Sequence, residues 1–124
     1  MIRQRYRSHD DSHWASISIE PGAVVVTMEF DELAQHTRLH SHAFDHEMLC
    51  VEGRALIELD GVVIELSEGA SYTVEAHKQH SVVPLVCPTR IQCRHEHADI
   101  HPDKIDGSGI PMEWLDRLTD RIPA

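Results

Sequence analysis

The dipeptide Asp60-Gly61 separates an alternating run, Arg54 to Leu59, from a second apolar-rich run, Val62 to Leu66. It is a strong two-residue hairpin signal, because both central residues of the matching turn take positive φ, which Asp and Gly tolerate. Such a turn also fixes register, and a slip of one residue would carry every apolar side chain to the wrong face. Ala55, Ile57 and Leu59 then share one face, with Leu56 and Glu58 on the other. Similar punctuation recurs along the chain. Trp14 to Ile19 alternates, Pro21-Gly22 is a turn, and Ala23 to Phe30 is rich in β-branched residues and reads as a strand buried on much of both faces. Met48 to Val51 ends at Glu52-Gly53; Ser67-Glu68-Gly69 precedes Ser71 to Val74; residues 75 to 79 form a polar loop. His80 to Val86 and Arg90 to His97 are the last strands, separated by Cys87-Pro88-Thr89. Many short strands with close turns and almost no helical period predict an all-β antiparallel sandwich or barrel.

The two ends read differently. Residues 1 to 13 are polar and charged, which predicts a loose arm; alternating Arg3, Arg5 and Arg7 would equally suit an edge strand exchanged with a partner subunit. After Asp106-Gly107-Ser108-Gly109, the stretch Pro111 to Ile122 predicts a short C-terminal α-helix. Pro111 suits a first turn, Glu113 and Asp116 lie near the positive end, and Arg117 and Arg121 near the negative end. Met112, Leu115, Leu118 and Ile122 supply its apolar face. The division expected is an arm over 1–13, a barrel over 14–101, and a linker with helix over 102–124.

Composition narrows the function. The 124 residues suit one domain. A net charge of -10 argues against nucleic acid as a partner, since phosphate binding needs a basic patch. No run approaches the roughly 20 apolar residues of a membrane helix, and the basic N-terminus has no apolar h-region behind it. A cytoplasmic protein with reduced thiols is expected. Cys50, Cys87 and Cys93 show no Cys-x-x-Cys spacing and read as small hydrophobes.

Chemistry concentrates in residues 40 to 53, His-Ser-His-Ala-Phe-Asp-His-Glu-Met-Leu-Cys-Val-Glu-Gly. On an extended strand, residues two or four apart face the same side, so His40, His42 and His46 can converge. His80, beside a later strand, is a fourth candidate. Four neutral imidazoles aimed at one point suit a transition metal. His36, His77, His95, His97 and His101 lack such support and read as solvent-facing or hydrogen-bonded residues, with His95-x-His97 at most a second, surface pair. His77 stands out because it precedes His80 at the expected mouth.

These residues together resemble a small single-domain cupin. His40-x-His42, an apolar strand to Gly53, the Asp60-Gly61 hairpin and Gly69-x5-Glu-Ala-His-x2-His80 follow the family's two motifs, Gly-x5-His-x-His-x3-4-Glu-x6-Gly and Gly-x5-Pro-x-Gly-x2-His-x3-Asn. The turn residues depart from them: Ala34 replaces the first glycine, and Glu75, His77 and Pro84 stand for Pro, Gly and Asn. The resemblance implies an antiparallel double-stranded β-helix, the jelly-roll or cupin barrel, holding one divalent transition metal. The family's glutamate slot admits either His46 or Glu47. His46 alone leaves six residues before Gly53, and strand parity sends the two to opposite faces. His46 is preferred, which gives the ligand set His40, His42, His46 and His80, similar to the four-histidine cupins, with Glu47 the alternative ligand. Asp45 could then orient an imidazole. Manganese is the metal expected by this resemblance, with iron, nickel or zinc as alternatives. Phe44, Met48, Cys50 and Val82 would line the pocket, and Glu47 and His77 are the candidate catalytic groups. The expectation is a metal-dependent dioxygenase or isomerase acting on a small oxygen-chelating substrate, as a homodimer. The alternative is a non-catalytic cupin that binds a small ligand or a metal as a sensor.

Overall fold

The computed structural model describes residues 2–7, 13–42, 45–96 and 121–123, which contain eleven strands and no helix. In chain order these are β1 (Ile2–Arg7), β2 (Trp14–Glu20), β3 (Ala23–Phe30), β4 (His40–His42), β5 (His46–Glu52), β6 (Arg54–Leu59), β7 (Val62–Ser67), β8 (Ser71–Val74), β9 (His80–Pro84), β10 (Thr89–Glu96) and β11 (Arg121–Pro123). One sheet runs β1-β2-β3-β10-β5-β8 and the other β11-β4-β9-β6-β7. All pairings are antiparallel. The all-β architecture expected from the strand pattern is therefore present.

Alternation dictates what lies between the sheets. From the six-stranded sheet come Met28, Phe30, Met48, Cys50, Val74, Ile91 and Cys93; from the five-stranded sheet come Ala55, Ile57, Leu59, Leu66 and Val82. Register puts them in contact: Met48 pairs with Cys93, Cys50 and Met28 both pair with Ile91, and Ile57 pairs with Val82. Each buried Val, Leu, Ile, Phe or Met contributes about 1.5–3 kcal/mol relative to exposure, so this layer holds the sheets together. Outside, Arg90 lies between Glu29 and Glu52 at 3.7 and 3.9 Å, an exposed ladder worth at most about 1 kcal/mol per pair.

The turns follow their sequence signals. Asp60 and Gly61 both take positive φ, 46° and 82°, as the tight hairpin between β6 and β7 requires. Gly53, also left-handed at φ 82°, joins β5 to β6 under a second constraint. A Cβ there would fall on Thr89 Oγ1 and crowd the Pro88 carbonyl. Thr89 is fully buried; its hydroxyl accepts from Arg54 N at 3.2 Å and donates to Val86 O at 2.7 Å, so it cannot give way cheaply.

At both ends of the chain the described residues are strands. Residues 2–7, read as a loose arm or as an edge strand exchanged with a partner, run as β1 along β2 of the same chain, from Ile2 opposite Ile19 to Arg7 opposite Trp14. The helix expected over 111–122 falls outside the described residues except for its end. There Arg121 and Ile122 lie in β11, opposite His42 and Ser41 of β4.

The two glycine turns provide a test. Gly61→Ala meets no atom within 4 Å and should cost about 1–2 kcal/mol, the left-handed penalty alone. Gly53→Ala adds overpacking and should cost about 2–5 kcal/mol by urea denaturation. Equal losses for the two would contradict the close approach at Thr89.

Candidate metal centre

The space between the sheets changes character at one end. Two residues along β5 from Met48 stands His46; two along β9 from Val82 stands His80; two along β10 from Cys93 stands His95. All three are buried, as are His40 and His42 of β4. β4 joins the second sheet with His40 opposite His80, so both sheets contribute imidazoles to one cluster. Ring centroids are 4.4 Å apart for His40 and His80, 5.0 Å for His40 and His42, and 5.3 Å for His42 and His80. His46 lies 4.7 Å from His42 and 5.0 Å from His80.

Three of these side chains meet the spacing of a metal site. His40, His42 and His80 each offer a nitrogen within 4.8 Å of the other two, close enough to hold an ion. Two are already oriented for it. His40 Nδ1 donates to Arg38 O at 2.7 Å, and His80 Nδ1 donates to Lys78 O at 2.9 Å. A carbonyl can only accept, so these bonds place the proton on Nδ1 and leave the Nε2 lone pair for a metal. In both cases the acceptor lies two residues earlier in the chain.

The loops at this end are tied together. His77 N donates to His42 O at 2.7 Å, and Ala76 N donates to Asp45 Oδ1 at 2.7 Å. Asp45 therefore pins one loop to the other and does not serve, in this bond, the imidazole-orienting role expected of it. Asp60 N donates to Gln79 O, Gln79 N donates back to Asp60 Oδ1, and Lys78 Nζ lies 3.8 Å from Asp60 Oδ2. The hairpin that fixes β6 and β7 thus also fixes the approach to His80. His77 occupies the motif position of a glycine and keeps a glycine-like φ of 64°, at a cost of about 1–2 kcal/mol.

Strand parity sorts the remaining candidates. On β5, His46, Met48 and Cys50 are buried while Glu47 is exposed. Met48, Cys50 and Val82, expected to line a pocket, belong to the closed apolar cluster beneath the imidazoles. Phe44 lies outside the described residues. His77 and Glu75 are exposed on the loop, and His36 is exposed with Nδ1 3.3 Å from Ala34 O. Burial pushes the Cys93 thiol up to about 12 and also raises that of Cys50. Both stay protonated, so neither supplies a thiolate.

One member of the cluster was not anticipated. His95, read as solvent-facing or hydrogen-bonded and outside the ligand set, is buried with its ring 5.3 Å from His42 and 5.2 Å from His46. The available signal was parity: Thr89, Ile91, Cys93 and His95 are buried in β10, while Arg90, Arg94 and Glu96 are exposed.

The donor set fits a divalent transition metal. His46 Nδ1 is buried with no hydrogen-bond partner among the described residues. An unpaired buried nitrogen costs about 1–3 kcal/mol, which packing alone gives no reason to retain. Desolvation, followed by repulsion from His42, His95, His80 and His40, lowers the His46 pKa from 6.5 to about 2. The imidazole is therefore neutral, the form that ligates metal.

No family model and no curated protein matches the chain. Solved structures do. KdgF from Halomonas sp. is 23% identical over 83% of this chain and 84% of that one, with a TM-score of 0.60. An RmlC-like cupin from Shewanella frigidimarina is 22% identical over 75% and 81%, with a TM-score of 0.61. A cupin superfamily protein from Desulfitobacterium hafniense is 15% identical over 77% of each chain, with a TM-score of 0.58. At these identities the likeness establishes architecture: the chain has the cupin fold. Among the described residues, no helix is long and apolar enough to cross a membrane.

Burial of neutral imidazoles predicts a pH dependence for the metal-free protein. As pH falls below 6.5 the unfolded His46 takes up a proton, while the folded residue stays neutral until about pH 2. Stability is thus complete above 6.5 and lost progressively through that window, by up to about 1.4 kcal/mol per pH unit for this group. Urea midpoints of chelator-treated protein should fall between pH 7.5 and 5.0. Equal midpoints would contradict the burial of His46 in its neutral form.

Proposed function

We propose that this chain is a metal-dependent enzyme of the dioxygenase or isomerase type, acting on a small organic substrate that chelates through oxygen. The observation that carries the reading is the convergence of His40, His42 and His80, with Nδ1 of His40 and His80 committed to backbone carbonyls. His46 is the fourth ligand in this reading, supported by its burial, its contacts with His42 and His80, and its unpartnered Nδ1.

A bound ion would supply Lewis acidity toward substrate oxygens. The chain's own contribution is orientation and exclusion of water. Arg38 O and Lys78 O fix two imidazole planes, while Met48, Cys50 and Val82 belong to the apolar core that continues from the imidazoles along the same strands. Glu47 is exposed on β5. His77 sits on a strained loop whose amide is bonded to the His42 carbonyl, and the reading gives it the proton-handling role. Manganese is the preferred ion, with iron, nickel and zinc also compatible with an imidazole set.

The exposure of Glu47 favours a second reading, a non-catalytic cupin that binds a metal or small ligand. One experiment separates the two: metal analysis of purified protein, with O2 uptake and product formation measured against diketones, enediols and hydroxy acids. The enzyme reading expects one metal per chain and turnover of at least one member of the panel. Full loading without turnover of any would replace it with the binding module.

The ligand assignment has its own check. His80→Ala or His42→Ala should weaken metal binding by more than the about 10–100-fold typical for loss of an outer partner. Glu47→Ala should leave metal content unchanged; loss of metal in that variant would overturn the choice of His46 over Glu47.

A further inference from the structure

His46 differs from His40 and His80 in how its ring is held. His40 and His80 are each locked by a hydrogen bond from Nδ1 to a carbonyl. His46 Nδ1 has no hydrogen-bond partner among the described residues, so its orientation rests on packing. Rings touch it on three sides. His42 lies edge-on at 4.7 Å and 80°, His80 is tilted at 5.0 Å and 45°, and His95 is tilted at 5.2 Å and 43°. His42 and His80 belong to the triad with metal-site spacing, which leaves His95 as the support outside it.

The sheet makes that support rigid. β10 is central in its sheet, bonded to β3 on one side and β5 on the other. Glu47 pairs with Arg94, so His95 and His46 follow on adjacent strands and project to the same inner face. His95 also meets His42 edge-on, at 5.3 Å and 72°. One ring thus bears on two others, from a backbone that cannot shift without breaking ladder hydrogen bonds on both sides.

We propose that His95 is a positioning residue of the metal centre, whose ring packs against His46 and His42 and holds His46 in the ligating orientation. This rests on the four-imidazole reading above, in which His46 is a ligand. His95 does by packing what the Arg38 and Lys78 carbonyls do by hydrogen bonding for His40 and His80. Without it, His46 can turn away from the ion, and the site reduces to His40, His42 and His80.

The test is cobalt(II) binding to the full chain, with affinity from chelator competition and the number of imidazole ligands from X-ray absorption. Wild type should show four imidazoles. His95→Ala, shown to be folded by circular dichroism, should bind about 10–100-fold more weakly and show three. His95→Phe keeps a ring and removes both nitrogens, so it should retain four imidazoles and near wild-type affinity; this holds as the deciding variant if His95→Ala does not fold. Four imidazoles in wild type and an unchanged His95→Ala would overturn the positioning role while leaving the ligand set intact. Equal losses in His95→Phe and His95→Ala would overturn it too, because His95 would then act through a nitrogen, as would five imidazoles in wild type. Three imidazoles in wild type would sink the four-imidazole reading itself, and the proposal with it.

Discussion

Desolvation of imidazole governs this molecule. The inward faces of both sheets are apolar along most of their length, yet at one end His40, His42, His46, His80 and His95 occupy the same buried layer. A buried polar ring without a full set of partners costs stability, and a charged one costs far more. The cluster persists because His46 stays neutral, because backbone carbonyls accept from His40 and His80, and because the strands of both sheets hold the rings in one layer. Such an arrangement is poor as a core and good as a ligand set. The same lone pairs that are costly when idle are those a divalent transition ion takes up.

The fold contributes to the site through short connections. β4 has only three residues, and two of them are histidines of the cluster. Pairing with β9 on one side and β11 on the other keeps it extended, so His40 and His42 point the same way. The Asp60-Gly61 turn reaches past its own hairpin to hold Lys78 and Gln79, and Lys78 then orients His80. Thr37, buried, exchanges bonds with Val82 through its amide and hydroxyl and so leads the chain toward β4. Hairpin, loop and ligand are one mechanical unit.

Much of this was legible in the sequence, wherever a local rule was enough. Alternation and the Asp-Gly signal give β6 and β7 to within a residue of their ends, and strand parity from Gly53 separates buried His46 from exposed Glu47. The unread parts depend on non-local pairing. The alternation of Arg3, Arg5 and Arg7 suits an edge strand, but a polar edge strand has no apolar stripe to show that its neighbour is β2 of the same chain. His95 obeys the same parity as Cys93, but its nearness to His46 follows from the pairing of β10 with β5, which no local pattern encodes. His77 reads as a departure from a glycine turn, and only the backbone shows that the left-handed conformation is kept regardless.

The central claim is that these imidazoles form one metal centre between the sheets. Anomalous diffraction from metal-loaded crystals, recorded on both sides of the absorption edge of the bound ion, tests it directly. One strong peak per chain is expected, about 2.0–2.2 Å from a ring nitrogen of each of His40, His42 and His80. A peak at surface residues, or rings of His40 and His80 turned away from an ion bound elsewhere, would contradict it.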